Sequence, residues 1–330
     1  MKRAFITGVA GQDGSYLTEL LLEKNYEVHG IVHRVNGIKA PWLEHLIGDP
    51  HIFQKRLHLY AADLNDTDSV RIPLELSAPD EIYHLAGQSH VGKSFETVEQ
   101  TCRVTGLGTL RLLEMIRKLP KPPRFFHASS SEIFGSPEVA PQDEATPIAP
   151  VTPYGCAKAF ATQLVRVYRK TFGLFAVNGV LFNHESPRRG ENFVTRKICR
   201  AAAAIKSGKQ KELVLGDTSA QRDWGHARDY VRGMWLALQH DAAEDFVFAT
   251  GQLHRVQDIV EIAFRTAGLD WHQCVRTDSQ LFRPADPRQL VGDAAKAKRL
   301  LNWQPEITFE QIIVEMTQAE LTAVGADKNP

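Results

Sequence analysis

The sequence predicts an α/β protein: a Rossmann-type doubly wound parallel sheet followed by a smaller C-terminal substrate-binding lobe. Three observations lead there. Short apolar runs alternate with amphipathic helical stretches through the first half of the chain. The first run closes on a glycine triplet, Gly8-Val9-Ala10-Gly11-Gln12-Asp13-Gly14. Past residue 183 the segments become shorter and more polar. A length of 330 residues fits two domains. We place a dinucleotide-binding domain carrying the catalytic residues at 1–182, and a mainly substrate-binding lobe at 183–330. That boundary is soft, because the chain is free to return to the first domain.

The elements follow in order. Ala4 to Thr7 is a short apolar run of the kind buried in parallel sheets. Leu17, Leu20, Leu21 and Leu22 follow at helical spacing. Glu27 to Val32, Leu57 to Ala61 and Glu81 to Ala86 read as strands two to four. Thr105 to Lys118 is a helix, with Leu107, Leu110, Leu113 and Met115 on its apolar side. Arg124 to Ala128 is strand five, and Phe175 to Phe182 a sixth strand. Between them Tyr154 to Phe172 is a long amphipathic helix. Further helices are expected at Val194 to Lys206, Ala227 to Gln239 and Val256 to Ala267. Gly325 to Pro330 is expected to fray.

Composition narrows the function. Lys+Arg and Asp+Glu are both 39, so the formal charge is zero. A nucleic-acid binder needs a basic excess to displace counterions, so no nucleic-acid partner is expected. No apolar run reaches the roughly 20 residues that span a bilayer, so no membrane association is expected. Cys102, Cys156, Cys199 and Cys274 are too scattered for a zinc pattern or a disulfide framework. No metal is expected. Reduced thiols, and an N-terminus that turns to glycine too soon for a signal peptide, place the protein in the cytoplasm.

The glycine triplet has a mechanical reading. Gly8 permits a tight turn after the first strand. Gly11 lets backbone approach a pyrophosphate, and Gly14 lets helix pack closely on strand. The helix N-terminus opened by Gln12 and Asp13 offers free N–H groups to phosphate. Strand two ends in Val32-His33-Arg34-Val35-Asn36. It lacks the carboxylate that would hold a ribose 2′-hydroxyl, and Arg34 suits a 2′-phosphate, which favours NADP over NAD. Asp63 and Leu64 end strand three, where the carboxylate can accept from an adenine amino group. Leu85-Ala86-Gly87-Gln88-Ser89 ends strand four in residues small enough to let the cofactor pass.

Tyr154 and Lys158 are four apart on a helix and share a face. A nearby ammonium is expected to lower the tyrosine pKa, making it a base that can remove a hydroxyl proton while a hydride leaves the same carbon. Ser129-Ser130-Ser131-Glu132 follows strand five at the carboxyl edge of the sheet, where such folds place their sites. Ser130 can hydrogen-bond the reacting oxygen. Alcohol oxidation alone needs no carboxylate, so Glu132 points to a second acid/base step on carbon.

These residues resemble the extended short-chain dehydrogenase/reductases, and within them the GDP-mannose 4,6-dehydratase family. The likeness runs over nearly the whole chain. It is carried by Gly11-Gln12-Asp13-Gly14-Ser15-Tyr16-Leu17, Gly87-Gln88-Ser89-His90-Val91, Ala128-Ser129-Ser130-Ser131-Glu132 and Leu181-Phe182-Asn183-His184-Glu185-Ser186-Pro187-Arg188-Arg189-Gly190. Asn192 to Lys197, Arg222-Asp223-Trp224-Gly225-His226 and Leu301-Asn302-Trp303-Gln304-Pro305 also match. The resemblance implies Tyr154 as base at the 4-hydroxyl, helped by Lys158 and Ser130, and Glu132 acting at C5 and C6. It implies cofactor contacts at Gln88, Ser89, His184 and Arg189. It implies substrate contacts at Ser89, Asn183, Lys197, Arg222, Arg283 and Asp286. The partner implied is a GDP-linked sugar, and the assembly a homodimer or homotetramer.

The sequence also departs from the family. His33-Arg34-Val35-Asn36 stands where Arg-Arg-Ser-Ser is usual, Gln100 replaces a tyrosine, and Asp286 is one methylene shorter than the usual glutamate. The segment Gln273 to Gln280 is short for the family. These changes keep open a different GDP-linked sugar, such as a heptose. An epimerase or 4-reductase on the same scaffold is the other alternative.

Overall fold

In the computed structural model the apolar runs of the first half become parallel strands, and the described residues are 1–33, 40–281 and 289–326. The strands are β1 (Arg3–Thr7), β2 (Glu27–His33), β3 (Leu57–Ala62), β4 (Glu81–His84), β5 (Arg124–Ser130), β6 (Ala176–Leu181), β7 (Asn183–Glu185), β8 (Leu213–Leu215), β9 (Gln221–His226), β10 (Asp245–Phe248), β11 (Leu253–Arg255) and β12 (Val275–Thr277). Seven of them form one parallel sheet in the order β10-β6-β5-β4-β1-β2-β3. The order reverses at β1 and β4, and the crevice outside their carboxyl ends is where such sheets bind ligand. Thr7 closes that junction: its hydroxyl accepts from the backbone N–H groups of Leu85 and Ala86, both at 3.1 Å.

Each face of the sheet is covered because each strand is apolar on both faces. One face packs against the helices Gln12–Glu23 and Ala227–Gln239, burying Ala4, Ile6, Tyr230 and Met234 together. The other packs against Thr67–Ser77, Gly108–Ile116 and Pro153–Phe172, burying Phe5, Leu74, Leu113 and Val165. The second lobe has its own core. Helices Val194–Lys206, Val256–Ala267 and Phe309–Ala326 bury Ile198, Ile259, Ala263, Ile312 and Met316. Two small sheets, β11-β9-β7 and β12-β8, pack on this core through Leu213, Leu215 and Trp224.

Several elements differ from the sequence reading. The chain does return to the large sheet: β10 is its outermost strand, paired to β6. A four-residue run carries too little period to announce itself. Ser129 and Ser130 lie inside β5 rather than after it. The helix expected from Thr105 continues a helical stretch that begins at Val98 and passes through a π turn at Cys102–Leu107. The final helix runs on to Ala326 and includes Gly325, while the rest of the segment expected to fray, 327–330, lies outside the described residues. Thr67–Ser77 was not expected, since Pro73 interrupts its pattern; Asp66 caps it by accepting from Ser69 N–H. All four cysteines are free.

Candidate active site

The glycine turn is built as its spacing demands. Gly8 has φ +76°, the left-handed region that glycine alone adopts cheaply. Gly11 N–H donates to Gly8 carbonyl at 3.0 Å, closing the turn. A Cβ on Gly14 would lie 2.3 Å from the Gly8 carbonyl oxygen and 2.6 Å from Val9 Cα. That position is therefore closed to any side chain. The helix Gln12–Glu23 starts here and points its N-terminus into a cleft of about 670 Å³.

The side chains of Gln12 and Asp13 do not face that cleft alone. Asp13 Oδ2 is 2.9 Å from His184 Nε2, and Gln12 Nε2 donates to the His184 carbonyl at 3.1 Å. Ser186 hydroxyl donates to Gln12 Oε1 at 2.8 Å. His184 Nδ1 is 2.8 Å from the Phe182 carbonyl, and its ring stacks on Tyr230 with centroids 4.5 Å apart. Burial alone would push the Asp13 carboxyl up, but the His184 charge and hydrogen bonds hold it below the usual range. Burial would likewise lower His184, and Asp13 raises it past that effect. Asp13 and His184 thus clamp the glycine turn to the segment leading into the second lobe.

The catalytic residues are assembled by two caps. Ser130 ends β5, and its hydroxyl accepts from Glu132 N–H at 3.2 Å, starting the turn Ser131–Phe134. Thr152 caps the helix Pro153–Phe172 by accepting from Gly155 N–H at 2.9 Å. A Cβ on Gly155 would stand 2.6 Å from the Glu132 carbonyl oxygen. Glycine there lets the start of the helix lie directly on the Ser130–Glu132 turn, so Tyr154 meets Ser130 and Glu132. One helical turn later Lys158 Nζ donates to the Ala128 carbonyl at 2.6 Å and lies 5.9 Å from the centre of the Tyr154 ring.

The electrostatics correct one expectation. Burial pushes the Tyr154 phenol up to about 12; the hydrogen bond to Ser130 opposes this and the Glu132 charge adds to it. Burial also brings Lys158 down to about 8. The lysine spends its nearest hydrogen bond on a backbone carbonyl, so the tyrosine is not lowered by the protein alone. Burial therefore outweighs the lowering expected from the Lys158 ammonium, and the phenol is the favoured form.

The cleft wall gathers most of the remaining residues. Ser89, Asn183, His184, Arg189, Lys197 and Arg222 line it together with Gly8, Gly11, Gln12, Asp13, Gly14, Leu85, Ser130, Glu132, Tyr154 and Lys158. Arg189 lies 3.1 Å from Glu185 and 3.6 Å from the centre of the Phe193 ring. Lys197 Nζ donates to the Val214 carbonyl at 3.1 Å, and Arg222 Nη1 to the Gln221 carbonyl at 2.6 Å. Asp63, Leu64 and Gln88 do not line it. Asp63 accepts from Asn65 N–H at 2.8 Å, and Gln88 Nε2 donates to the His90 carbonyl at 3.1 Å. Both carboxamide and carboxylate thus shape their own loops. Arg34, Arg283 and Asp286 lie outside the described residues.

Sequence reasoning missed the supports of this wall. Glu185 is buried, accepts from Thr195 hydroxyl at 2.5 Å and anchors Arg189. Asp223 is buried and accepts from the backbone N–H of Thr250, Gly251 and Gly292 at 2.8, 2.9 and 3.2 Å, fixing the strand that presents Arg222. Acidic residues inside the matched blocks were the available signal.

The residues fit a dinucleotide: Gly8 and Gly14 shape a cradle that a side chain would fill, at a helix N-terminus and a sheet switch point. With Ser130, Tyr154 and Lys158 across it, the fold and site define a short-chain dehydrogenase/reductase of the extended kind. Residues 5–316 match the model of the GDP-mannose 4,6 dehydratase family. The chain is 46% identical to GDP-mannose 4,6 dehydratase 1 of Arabidopsis thaliana, over 99% of this chain and 92% of that one. It is 45% identical to the Homo sapiens GDP-mannose 4,6 dehydratase, over 99% and 93%. Among solved structures, the dTDP-glucose 4,6-dehydratase DesIV of Streptomyces venezuelae, with NAD bound, superposes with a TM-score of 0.86 at 25% identity, covering 98% of each chain. The chain belongs to the GDP-mannose 4,6-dehydratase family.

Proposed function

We propose that the protein is a hydro-lyase that converts GDP-mannose to GDP-4-keto-6-deoxymannose and water, with NADP as its cofactor. The observation that carries this is Glu132 held beside Ser130 and Tyr154 at the mouth of the dinucleotide cleft. A dehydrogenase acting on a hydroxyl alone needs the Ser-Tyr-Lys set; the extra carboxylate serves a step on carbon. Bound NADP supplies the hydride acceptor and donor, and a positive charge in its oxidised state.

This chain's own residues do the proton work. Ser130 hydrogen-bonds the substrate's O4. Tyr154 accepts the O4 proton as C4 becomes a ketone, with Lys158 beneath it. The ketone acidifies the C5 hydrogen. Glu132 removes that proton and delivers it to the departing 6-hydroxyl, which leaves as water. Return of the C4 hydride to C6, paired with a proton to C5, would then give the saturated 4-keto-6-deoxy sugar with no net redox change. Asn183, Lys197 and Arg222 line the same cleft, where guanidinium and ammonium groups suit the substrate diphosphate.

Among the described residues no helix is long and apolar enough to cross a membrane. We assign the enzyme to the cytoplasm, in keeping with four unpaired thiols. Exposed Phe160 and Val167 on the helix Pro153–Phe172, with Val98 and Leu107 nearby, supply an apolar face for a homodimer. The test of the function is incubation with GDP-mannose and NADP. A 4-keto product that absorbs in alkali, with no net NADPH, supports the assignment; accumulation of NADPH or an unchanged sugar overturns it.

A further inference from the structure

At the amino ends of β2 and β3, away from the catalytic rim, a second cluster of chemistry-bearing side chains lies on one face of the sheet. Glu27 and His29 are two apart on β2 and point the same way. His58 on β3 is the direct register partner of His29. The three converge: His58 Nε2 is 3.0 Å and His29 Nε2 3.2 Å from the same oxygen, Glu27 Oε1. One candidate ligand atom from each residue lies within 4.8 Å of the others, and among the described residues no other such group occurs.

Both contacts are at ion-pair distance, but the hydrogen-bond geometry is poor at both rings. Both Nε2 atoms are buried, and neither directs an N–H at the carboxylate well enough to make a bond. The His29 side chain is only 7% exposed, so an unsatisfied nitrogen there is costly. Its other nitrogen is engaged: Nδ1 is 3.0 Å from the Tyr60 hydroxyl. When Nδ1–H donates to that oxygen, Nε2 carries a lone pair facing Glu27. An outer partner fixing the tautomer in this way is what metal-binding histidines use.

Distances point the same way. Ligand atoms about 2.1 Å from one ion at tetrahedral angles stand about 3.4 Å apart. The Nε2 to Oε1 separations of 3.0 and 3.2 Å are near that value. Two imidazoles with one carboxylate suit zinc and its neighbours; calcium and magnesium prefer all-oxygen sets. We propose that Glu27, His29 and His58 bind one divalent transition ion of this borderline type, with water from the solvent side in the fourth position. The rings now stack with centroids 4.6 Å apart. Binding turns the ring of His58, the more exposed at 25%, so that its Nε2 faces the ion. The ion is structural: it fastens the edge strand β3 to β2 and touches no reacting atom.

The test uses tag-free, full-length protein stripped with a chelator, titrated with Zn²⁺ by calorimetry and with Co²⁺ followed by visible absorption. We expect one ion per chain and a cobalt spectrum of tetrahedral nitrogen and oxygen coordination. His58→Gln and Glu27→Gln should each weaken binding by more than roughly 100-fold, and Tyr60→Phe by roughly tenfold. Saturating zinc should raise the Tm of the wild type and leave that of His58→Gln unchanged. A melt of each variant in chelator separates loss of the ion from loss of the fold. Stripped wild type that takes up no ion, or His58→Gln that takes it up as tightly as wild type, overturns the site.

Discussion

Replacing Gly14 by alanine and Gly11 by alanine should separate two effects within one seven-residue turn. At Gly14 the added methyl would meet the Gly8 carbonyl oxygen at 2.3 Å and Val9 Cα at 2.6 Å, all backbone. No side chain can rotate away, so the helix Gln12–Glu23 must shift off β1. Overpacking of this kind costs about 3 kcal/mol, which for a chain this size lowers Tm by roughly 5 °C. At Gly11 the backbone is extended, with φ −76°, and an added methyl meets only the Gly8 carbonyl oxygen, at 3.3 Å. The residue is exposed and lines the cleft. Its alanine variant should melt within about 1 °C of wild type yet bind NADP roughly tenfold more weakly, about 1.4 kcal/mol. Thermal melts and fluorescence titration with NADPH measure the pair. Wild-type Tm in Gly14→Ala, or wild-type NADPH affinity in Gly11→Ala, would refute the roles assigned to these glycines.

Further outcomes follow from the site. Glu132→Gln should abolish water loss while bound NADP is still slowly reduced by substrate, seen as NADPH absorbance in a single turnover; full dehydration in this variant would remove Glu132 from its role. Tyr154→Phe should lose turnover by roughly 10²- to 10⁴-fold, with the Tm essentially kept. Lys158→Met should be inactive but melt no lower than wild type, because burial already disfavours the ammonium, bringing it down to about 8. Asp13→Asn tests the clamp through pH. Asp13 is lowered in the fold, so its contribution is present above about pH 4 and fades in acid. His184 is raised, so its contribution is full below about pH 6.5 and is lost as pH rises through its folded value. The Tm gap between wild type and Asp13→Asn should therefore be widest near about pH 5 to 6 and narrow toward about pH 9. A gap that widens with rising pH contradicts the ion pair.

Much of this was legible because period and spacing carry it. The runs at Ala4, Glu27, Leu57, Glu81 and Arg124 became adjacent parallel strands, and the helices at Val194, Ala227 and Val256 begin where their apolar spacing begins. Tyr154, Lys158, Ser130 and Glu132 were brought together because helix period and the carboxyl edge of a sheet are local rules. What was not legible depends on partners far along the chain. Spacing places Asp13 at the glycine turn but does not report its pairing with His184, 171 positions away. The rise in the Tyr154 pKa depends on burial, which no spacing reports. The Glu27–His29–His58 cluster needs the register of β2 on β3, and β10 needs a neighbour to make four residues a strand.

The proposed reaction is an internal hydride transfer coupled to loss of water. Incubating the enzyme with GDP-mannose deuterated at C4, in the presence of NADP, tests it directly by mass spectrometry and NMR of the product. The expected product is a sugar nucleotide lighter by one water, with the deuterium retained and placed on the C6 methyl. Deuterium accumulating in free NADPH, or a product that has kept its 6-hydroxyl, would contradict it.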